Sequence, residues 1–308
     1  MQLGIACTLC PRQCRTPRGD GYCGAPARVE ASAVCLHRGE EPPLAGGTDA
    51  DSSGIVNIFF NHCNLQCIYC QNGAISGRSV DAALAHYTDL DAIAREVARL
   101  LPHSNGTVGF VTAAHYAHLL PDLVEAIRGL GLAPTFVYNS SGYESVDTLR
   151  QLEGLVDVYL PDFKYLDTAL AAAYSHAADY PAVATAALLE MRRQVGQSLK
   201  TDDRGIAYRG LIVRHLVLPG AVDNSLRCLD WLADHFDPTV LHLSLMAQYF
   251  PPRESLPVPL DRPLRADEYR AVTDHADSLG FCRGWQQELE AQTNYRPDFA
   301  RTDNPFEP

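Results

Sequence analysis

Basic residues are scarce in this chain: 25 Lys and Arg stand against 37 Asp and Glu in 308 residues, a net charge of -12. That balance excludes a general binder of phosphate backbones, so nucleic acid is not an expected partner. Long apolar runs are also missing, since nowhere do the ~18 consecutive apolar residues of a membrane span occur. Residues 1–7 offer neither the basic n-region nor the long apolar h-region of an export signal. The expectation is a soluble, cytoplasmic protein with no membrane partner. In that setting ten cysteines do not read as a disulfide framework, and seven of them fall in two tight clusters. Reduced, metal-bound thiols fit better.

The chain does have enough apolar content, 46%, for a sizeable core, and enough length for one barrel-like domain or two ordinary ones. Its most informative stretch is 61–72, where Cys63, Cys67 and Cys70 form a C-x3-C-x2-C array just after an apolar run. Fully extended, the peptide from Cys63 to Cys70 would reach about 23–25 Å, so thiols meeting at one inorganic core require a wound loop. Three thiolates can hold a 4Fe-4S cluster and leave one iron open to a ligand. Structural zinc would need a fourth protein ligand, for which His62 is the local candidate.

An earlier cluster, Cys7, Cys10, Cys14 and Cys23, has the spacing C-x2-C-x3-C-x8-C and is a complete ligand set by itself. Zinc and a second iron-sulfur cluster both satisfy it, as a staple for a segment poor in apolar residues or as an electron relay. Cys35 sits in an alternating stretch and reads as a packed strand residue. Cys228 and Cys282 read as packing thiols, and His86, His103 and His118 as surface residues. The resulting division is a Cys-rich metal-binding segment over 1–36, a linker over 37–53, and a main body with a C-terminal extension over 54–308.

From residue 54 onward, short apolar runs alternate with helical patterns. The runs are 54–60, 107–112, 135–138, 156–160, 211–218 and 240–245, and their near-continuous hydrophobicity suits strands buried on both faces of a parallel sheet. Helices are expected over 89–100, 119–130, 183–195, 225–235 and 266–279. This is a parallel α/β architecture, whose ligands lie at the carboxyl ends of the strands. The polar residues there are the cysteine loop, 112–116, 139–143, Asp162 with Lys164, Arg214 with His215, and Gln248. Asp162 and Lys164 alternate onto one face of an extended segment, where two opposite charges suit a zwitterion.

At Cys63-x3-Cys67-x2-Cys70, with Tyr69 before the last thiol, the sequence resembles the radical S-adenosylmethionine (SAM) superfamily. Within it the likeness is greatest to the pyruvate formate-lyase activating enzyme-like group, relatives of glycyl-radical-enzyme activating proteins. It extends over nearly the whole chain through Cys10-Pro11-Arg12-x-Cys14, Gly21-Tyr22-Cys23-Gly24, Pro161-Asp162-Phe163-Lys164-Tyr165, Val213-Arg214-His215, Pro219-Gly220 and Leu245-Met246-x-Gln248-Tyr249.

The resemblance implies a partial (β/α)6 barrel with a 4Fe-4S cluster on the three loop cysteines and SAM at the C-terminal mouth. One electron, from a flavodoxin or ferredoxin, would cleave SAM to a 5'-deoxyadenosyl radical that abstracts hydrogen from substrate. Tyr69 would lie near the adenine, Asp162 and Lys164 would contact SAM, and Arg214 would reach its carboxylate. Asn139 and Gln248 are assigned from strand-end position, and Thr112 stands in for the family's Gly-Gly-Glu, which this chain lacks. His62 occupies a position commonly held by Gly. The implied substrate is a glycyl radical enzyme; the competing expectations are a small-molecule- or peptide-modifying enzyme and a non-catalytic iron-sulfur or zinc electron-transfer protein.

Overall fold

The structure, a computed structural model, describes residues 6–47, 53–293 and 296–306. Among the described residues there are nine strands: β1 (Ala31–His37), β2 (Ile55–Phe60), β3 (Thr107–Val111), β4 (Thr135–Ser140), β5 (Val158–Pro161), β6 (Lys200–Thr201), β7 (Ala207–Leu216), β8 (His242–Met246) and β9 (Gly284–Gln286). Their order is β1-β2-β3-β4-β5-β7-β8-β9, with β6 a short antiparallel addition to β7. From β2 to β9 every pairing along that path is parallel. Spatial order follows chain order without reversal, the winding of an incomplete barrel wall; a doubly wound sheet would switch direction at its centre. The expected α/β class is the observed one, and the six expected apolar runs are β2, β3, β4, β5, β7 and β8.

Why these segments became interior strands is visible in their burial. All residues of β2, β3 and β5 are buried on both faces, as continuous Val, Ile and Phe require. Helices Leu90–Leu100, Leu120–Gly129, Tyr180–Val195, Val222–His235 and Ala266–Ser278 supply the cover, each turning an apolar stripe inward. The first buries Ile93, Ala94, Val97 and Leu100 and is capped by Asp89, whose carboxylate accepts from the Ala92 N–H. No helix among the described residues is long and apolar enough to cross a membrane.

The expected linker over 37–53 is corrected by the structure over residues 37–47. β1 ends at His37 and pairs antiparallel with β2, so the N-terminal segment is joined edge-on to the same sheet. Leu44 and Ala45 are fully buried in the short helix Pro42–Ala45, and Glu40 and Glu41 point into the body of the protein. A Pro-rich, acidic stretch reads as solvated because sequence does not show the buried cation that it answers. Residues 48–52 of that expected linker lie outside the described residues. Cys228 and Cys35 are buried as expected, while Cys282 is exposed, with its Sγ 3.8 Å from the Thr239 carbonyl.

Candidate functional site

Two adjacent strands create the site by ending in charge. At the end of β5, Phe163 is buried between Asp162 and Lys164, so the two charged side chains share the opposite face. On β7 the same alternation sends Arg214 to that face, whereas His215 is fully buried between the Phe163 carbonyl (2.6 Å) and Ser225 Oγ (2.8 Å). Lys164 Nζ donates to Asp162 Oδ2 at 2.5 Å and Arg214 Nε to Asp162 Oδ1 at 3.0 Å. Arg214 Nη1 also donates to Glu40 Oε2 (3.2 Å), and Nη2 to Asn139 Oδ1 (2.6 Å). Glu40 Oε1 accepts from Asn57 Nδ2 (2.9 Å) and Asn139 Nδ2 (3.3 Å), which closes the network.

Burial and pairing compete at these groups, and pairing wins. Burial pushes the Asp162 carboxyl up, but Lys164 and Arg214 outweigh it and hold it below its ordinary value. Burial likewise disfavours the Lys164 cation, and the Asp162 and Cys67 sites next to it raise it above its usual range instead. Glu41 lacks such a contact: burial takes it up to about 7 despite the nearby Arg214. His37 is pushed down to about 4 by burial and then by Arg214.

These groups line a cavity of about 440 Å³, within the usual size range of small-molecule sites. Its wall includes Cys63, Cys67, Cys70, Tyr69, Thr112, Asn139, Asp162, Lys164, Arg214 and Gln248. Ten residues from six separate stretches, each singled out in the sequence, therefore meet at one opening on the C-terminal side of the strands.

The cysteine loop is wound by left-handed backbone at His62 (φ 69°) and Gln66 (φ 58°). Each thiol has a polar neighbour: the Leu65 N–H donates to Cys63 Sγ (3.3 Å), Ser175 Oγ donates to Cys67 Sγ (3.0 Å), and Ser76 Oγ stands 3.4 Å from Cys70 Sγ. Because Ser175 spends its one hydroxyl proton on Cys67, Tyr165 must donate to Ser175 (2.9 Å) and Tyr69 to Tyr165 (2.5 Å). A directed hydroxyl chain therefore ends on a loop sulfur. Donors aimed at sulfur suit thiolate ligands of an iron-sulfur cluster, and burial of the unmetallated Cys63 thiol pushes it up to about 12. Among the described residues, no three His, Cys, Asp or Glu side chains stand close enough together to hold a single metal ion.

His62 does not belong to that donor set. Its Nδ1 faces the Gly77 carbonyl and its Nε2 the Glu30 carboxylate, each at 3.2 Å, which leaves neither nitrogen for a metal. Thr112 holds φ 56°, an outlier for a β-branched residue, while its N–H donates to the Asn139 carbonyl (2.8 Å). Gln248 is tied to the cysteine loop through Gln71, by Nε2 to Oε1 at 3.1 Å and by its carbonyl at 2.8 Å. Gly142, at φ 77°, brings the turn after β4 against the Asp162 carbonyl, where an added Cβ would stand 2.3 Å from that oxygen.

Sequence reasoning missed Glu40, Glu41 and Asn57. A signal for Asn57 existed: it is the one polar residue inside the run of β2, and its partner in register on β3 is Gly109. A Cβ on Gly109 would meet Asn57 Oδ1 at 2.0 Å, so the glycine makes room for the amide that holds Glu40.

The four N-terminal cysteines border a second, much smaller cavity of about 10 Å³, together with Arg12, Arg18, Tyr22, Asn64 and His115. It abuts the loop, since Arg12 donates to the Asn64 (2.9 Å) and Leu65 (3.5 Å) carbonyls between Cys63 and Cys67.

Comparison with known proteins adds the following. No family model matches the chain. It is 26% identical over 281 residues to an uncharacterised protein of Methanocaldococcus jannaschii, covering 88% of this chain and 74% of that one. It is 30% identical over 110 residues to a putative glycyl-radical enzyme activating enzyme of Haemophilus influenzae, covering 35% of this chain and 40% of that protein. Solved structures of native anSMEcpe with bound AdoMet, with and without a Kp18Cys peptide, are similar at a TM-score of 0.47 with 11–12% identity. They align over 73–74% of this chain, which spans 60–61% of theirs.

Proposed function

We propose that this chain is a radical SAM enzyme in which Cys63, Cys67 and Cys70 hold a 4Fe-4S cluster and the 440 Å³ cavity takes SAM. The observation that carries this reading is the meeting of the three loop thiols with the Asp162, Lys164 and Arg214 triad on one wall system at the strand ends. When bound, cluster and SAM would supply the hard chemistry, reductive cleavage of SAM with one electron from a flavodoxin or ferredoxin and hydrogen abstraction from substrate.

The protein's own share is to bind, orient and shield. Arg214 spends one N–H of each nitrogen on Asp162, Asn139 and Glu40, which leaves two of its five donors for a ligand carboxylate. Lys164 adds a second cation, and Asp162 and Glu40 fix the direction of both. Tyr69 stands beside the adenine position, Thr112 and Asn139 shape the floor between β3 and β4, and Gln248 closes the rim through Gln71. Leu65, Leu216, Met246 and Phe306 give the wall apolar cover that keeps water from a reactive species. A glycyl radical enzyme is the hydrogen donor that the Haemophilus influenzae relative favours.

Anaerobic reconstitution with iron and sulfide, followed by SAM and a strong reductant, tests the proposal. The expected result is 5'-deoxyadenosine from the wild-type chain and none from Cys67→Ala. An iron-replete wild-type chain that binds no SAM and forms no 5'-deoxyadenosine would contradict it.

A further inference from the structure

The short helix Thr168–Ser175 is fixed at both ends. Asp167 caps its start, with a carboxylate that accepts from the Ala169 and Leu170 N–H groups (2.8 and 3.0 Å), and His176 stops it in the left-handed region at φ 51°. That second end is clamped onto the cysteine loop. The Ile68 N–H donates to the Tyr174 carbonyl (2.8 Å). Arg12 donates to the Ser175 (3.3 Å) and His176 (2.5 Å) carbonyls while it also bonds those of Asn64 and Leu65.

Ser175 is fully buried at this junction. A serine hydroxyl in a helix ordinarily returns to the carbonyl four residues back. Here that carbonyl, of Ala171, already accepts from the His176 and Ala177 N–H groups, and Ser175 Oγ turns instead to Cys67 Sγ at 3.0 Å. Behind it the buried Tyr165 and Tyr69 hydroxyls donate in series, at 2.9 and 2.5 Å, so the serine proton is left pointing at sulfur.

Ser76 is the contrast within the same loop. It stands 3.4 Å from Cys70 Sγ, but its hydroxyl proton goes to the Asn72 carbonyl (2.8 Å), so it donates nothing to sulfur. Cys63 receives a backbone N–H, from Leu65. Among the described residues, Cys67 is thus the loop thiol that a side-chain hydroxyl proton reaches.

Hydrogen bonds to the sulfurs are one of the levers that set the potential of an iron-sulfur cluster, because a proton aimed at sulfur stabilises the electron-rich side of the couple. We propose, resting on the cluster reading above, that Ser175, oriented by Tyr165 and Tyr69, is a positioning residue that raises the reduction potential of a cluster held at Cys63, Cys67 and Cys70. The electron comes from the one-electron carrier protein; no covalent bond is made or broken, and the hydroxyl protons stay on their oxygens.

Spectroelectrochemical titration of the anaerobically reconstituted full chain tests this with a quantity that a merely structural role would not move. Ser175→Ala is expected to shift the midpoint to more negative values, by up to about tenfold in the reduction equilibrium, which is about 59 mV for one electron. Ser175→Thr keeps the hydroxyl and should restore the wild-type midpoint, and Ser76→Ala should leave it in place. Tyr165→Phe keeps the serine itself and should shift the midpoint the same way by less, which gives a reading even where Ser175→Ala takes up no iron. Equal midpoints in the loaded wild type and Tyr165→Phe and Ser175→Ala variants, or equal shifts in Ser175→Ala and Ser76→Ala, would overturn the role of Ser175 and leave the cluster reading standing. A wild-type chain that takes up no iron and sulfide would overturn both.

Discussion

Two groups of cysteines lie against each other in this molecule, and their surroundings differ by more than an order of magnitude in space. Cys63, Cys67 and Cys70 border a cavity of about 440 Å³ lined with paired charges, and Cys7, Cys10, Cys14 and Cys23 border one of about 10 Å³. Three thiols beside a large polar opening would leave room for a ligand on a cluster held there; the four N-terminal thiols border a far tighter space. The two groups therefore differ in thiol number and in the space beside them.

The largest effect that should sharpen this contrast is a selective loss of metal. Cys67→Ala is expected to abolish iron and sulfide binding at the loop, and Cys10→Ser to leave the loop's binding in place; absorption spectra and elemental analysis check both. If Cys10→Ser strips the loop of its iron as well, the two groups are not separable.

Next comes the charge network. Asp162→Asn leaves Lys164 and Arg214 buried without their shared carboxylate, and breaking a buried pair of this kind typically costs about 3–5 kcal/mol. Urea unfolding should show that loss, and SAM titration at least a tenfold weaker affinity.

Arg12→Ala should act across the boundary between the two regions. It removes charge-assisted bonds to the Asn64 and Leu65 carbonyls of the cysteine loop, and at roughly 1–3 kcal/mol of such bonding the effect on loop protection is moderate. Amide hydrogen exchange over 63–70 should accelerate while the strands β3 and β4 keep their protection. Unchanged exchange in the loop would mean that the N-terminal segment and the loop are independent.

The smallest effect concerns pH. Glu144 is buried beneath the turn after β4, where it accepts from Ser140 Oγ (2.7 Å) and Tyr138 OH (3.2 Å). Burial dominates these bonds and raises its carboxyl from 4.5 to about 7. The folded state therefore holds the proton more tightly than the unfolded chain. Its stabilising contribution is complete below pH 4.5 and is lost as pH rises through about 7. At ~1.36 kcal/mol per pH unit the loss is at most about 3 kcal/mol. Glu144→Gln should raise the urea midpoint relative to wild type at pH 8, with that advantage gone by pH 5; a pH-independent difference would assign the effect to packing.

The strands of this fold were legible because each interior run is buried on both faces, as β2, β3 and β5 are, and burial leaves a continuous apolar signature. Asp162, Lys164 and Arg214 were legible because alternation past a buried strand end has only one open face. Glu40 was not: it meets Arg214, 174 residues away, from a stretch whose prolines and acids look solvated. The same holds for the attachment of β1 as an antiparallel edge, which depends on a pairing with β2 that local pattern does not encode. His62 carried an ambiguous signal, resolved only by Glu30 and Gly77 occupying both ring nitrogens.

Native mass spectrometry of the anaerobically reconstituted full chain reads the central claim, a 4Fe-4S cluster on the Cys63–Cys70 loop beside a SAM-binding cavity, in a single spectrum. The expected wild-type species carries the cluster and gains the mass of SAM when SAM is added, and Cys67→Ala is lighter by that cluster and gains no SAM. A wild-type species that gains neither would contradict the claim.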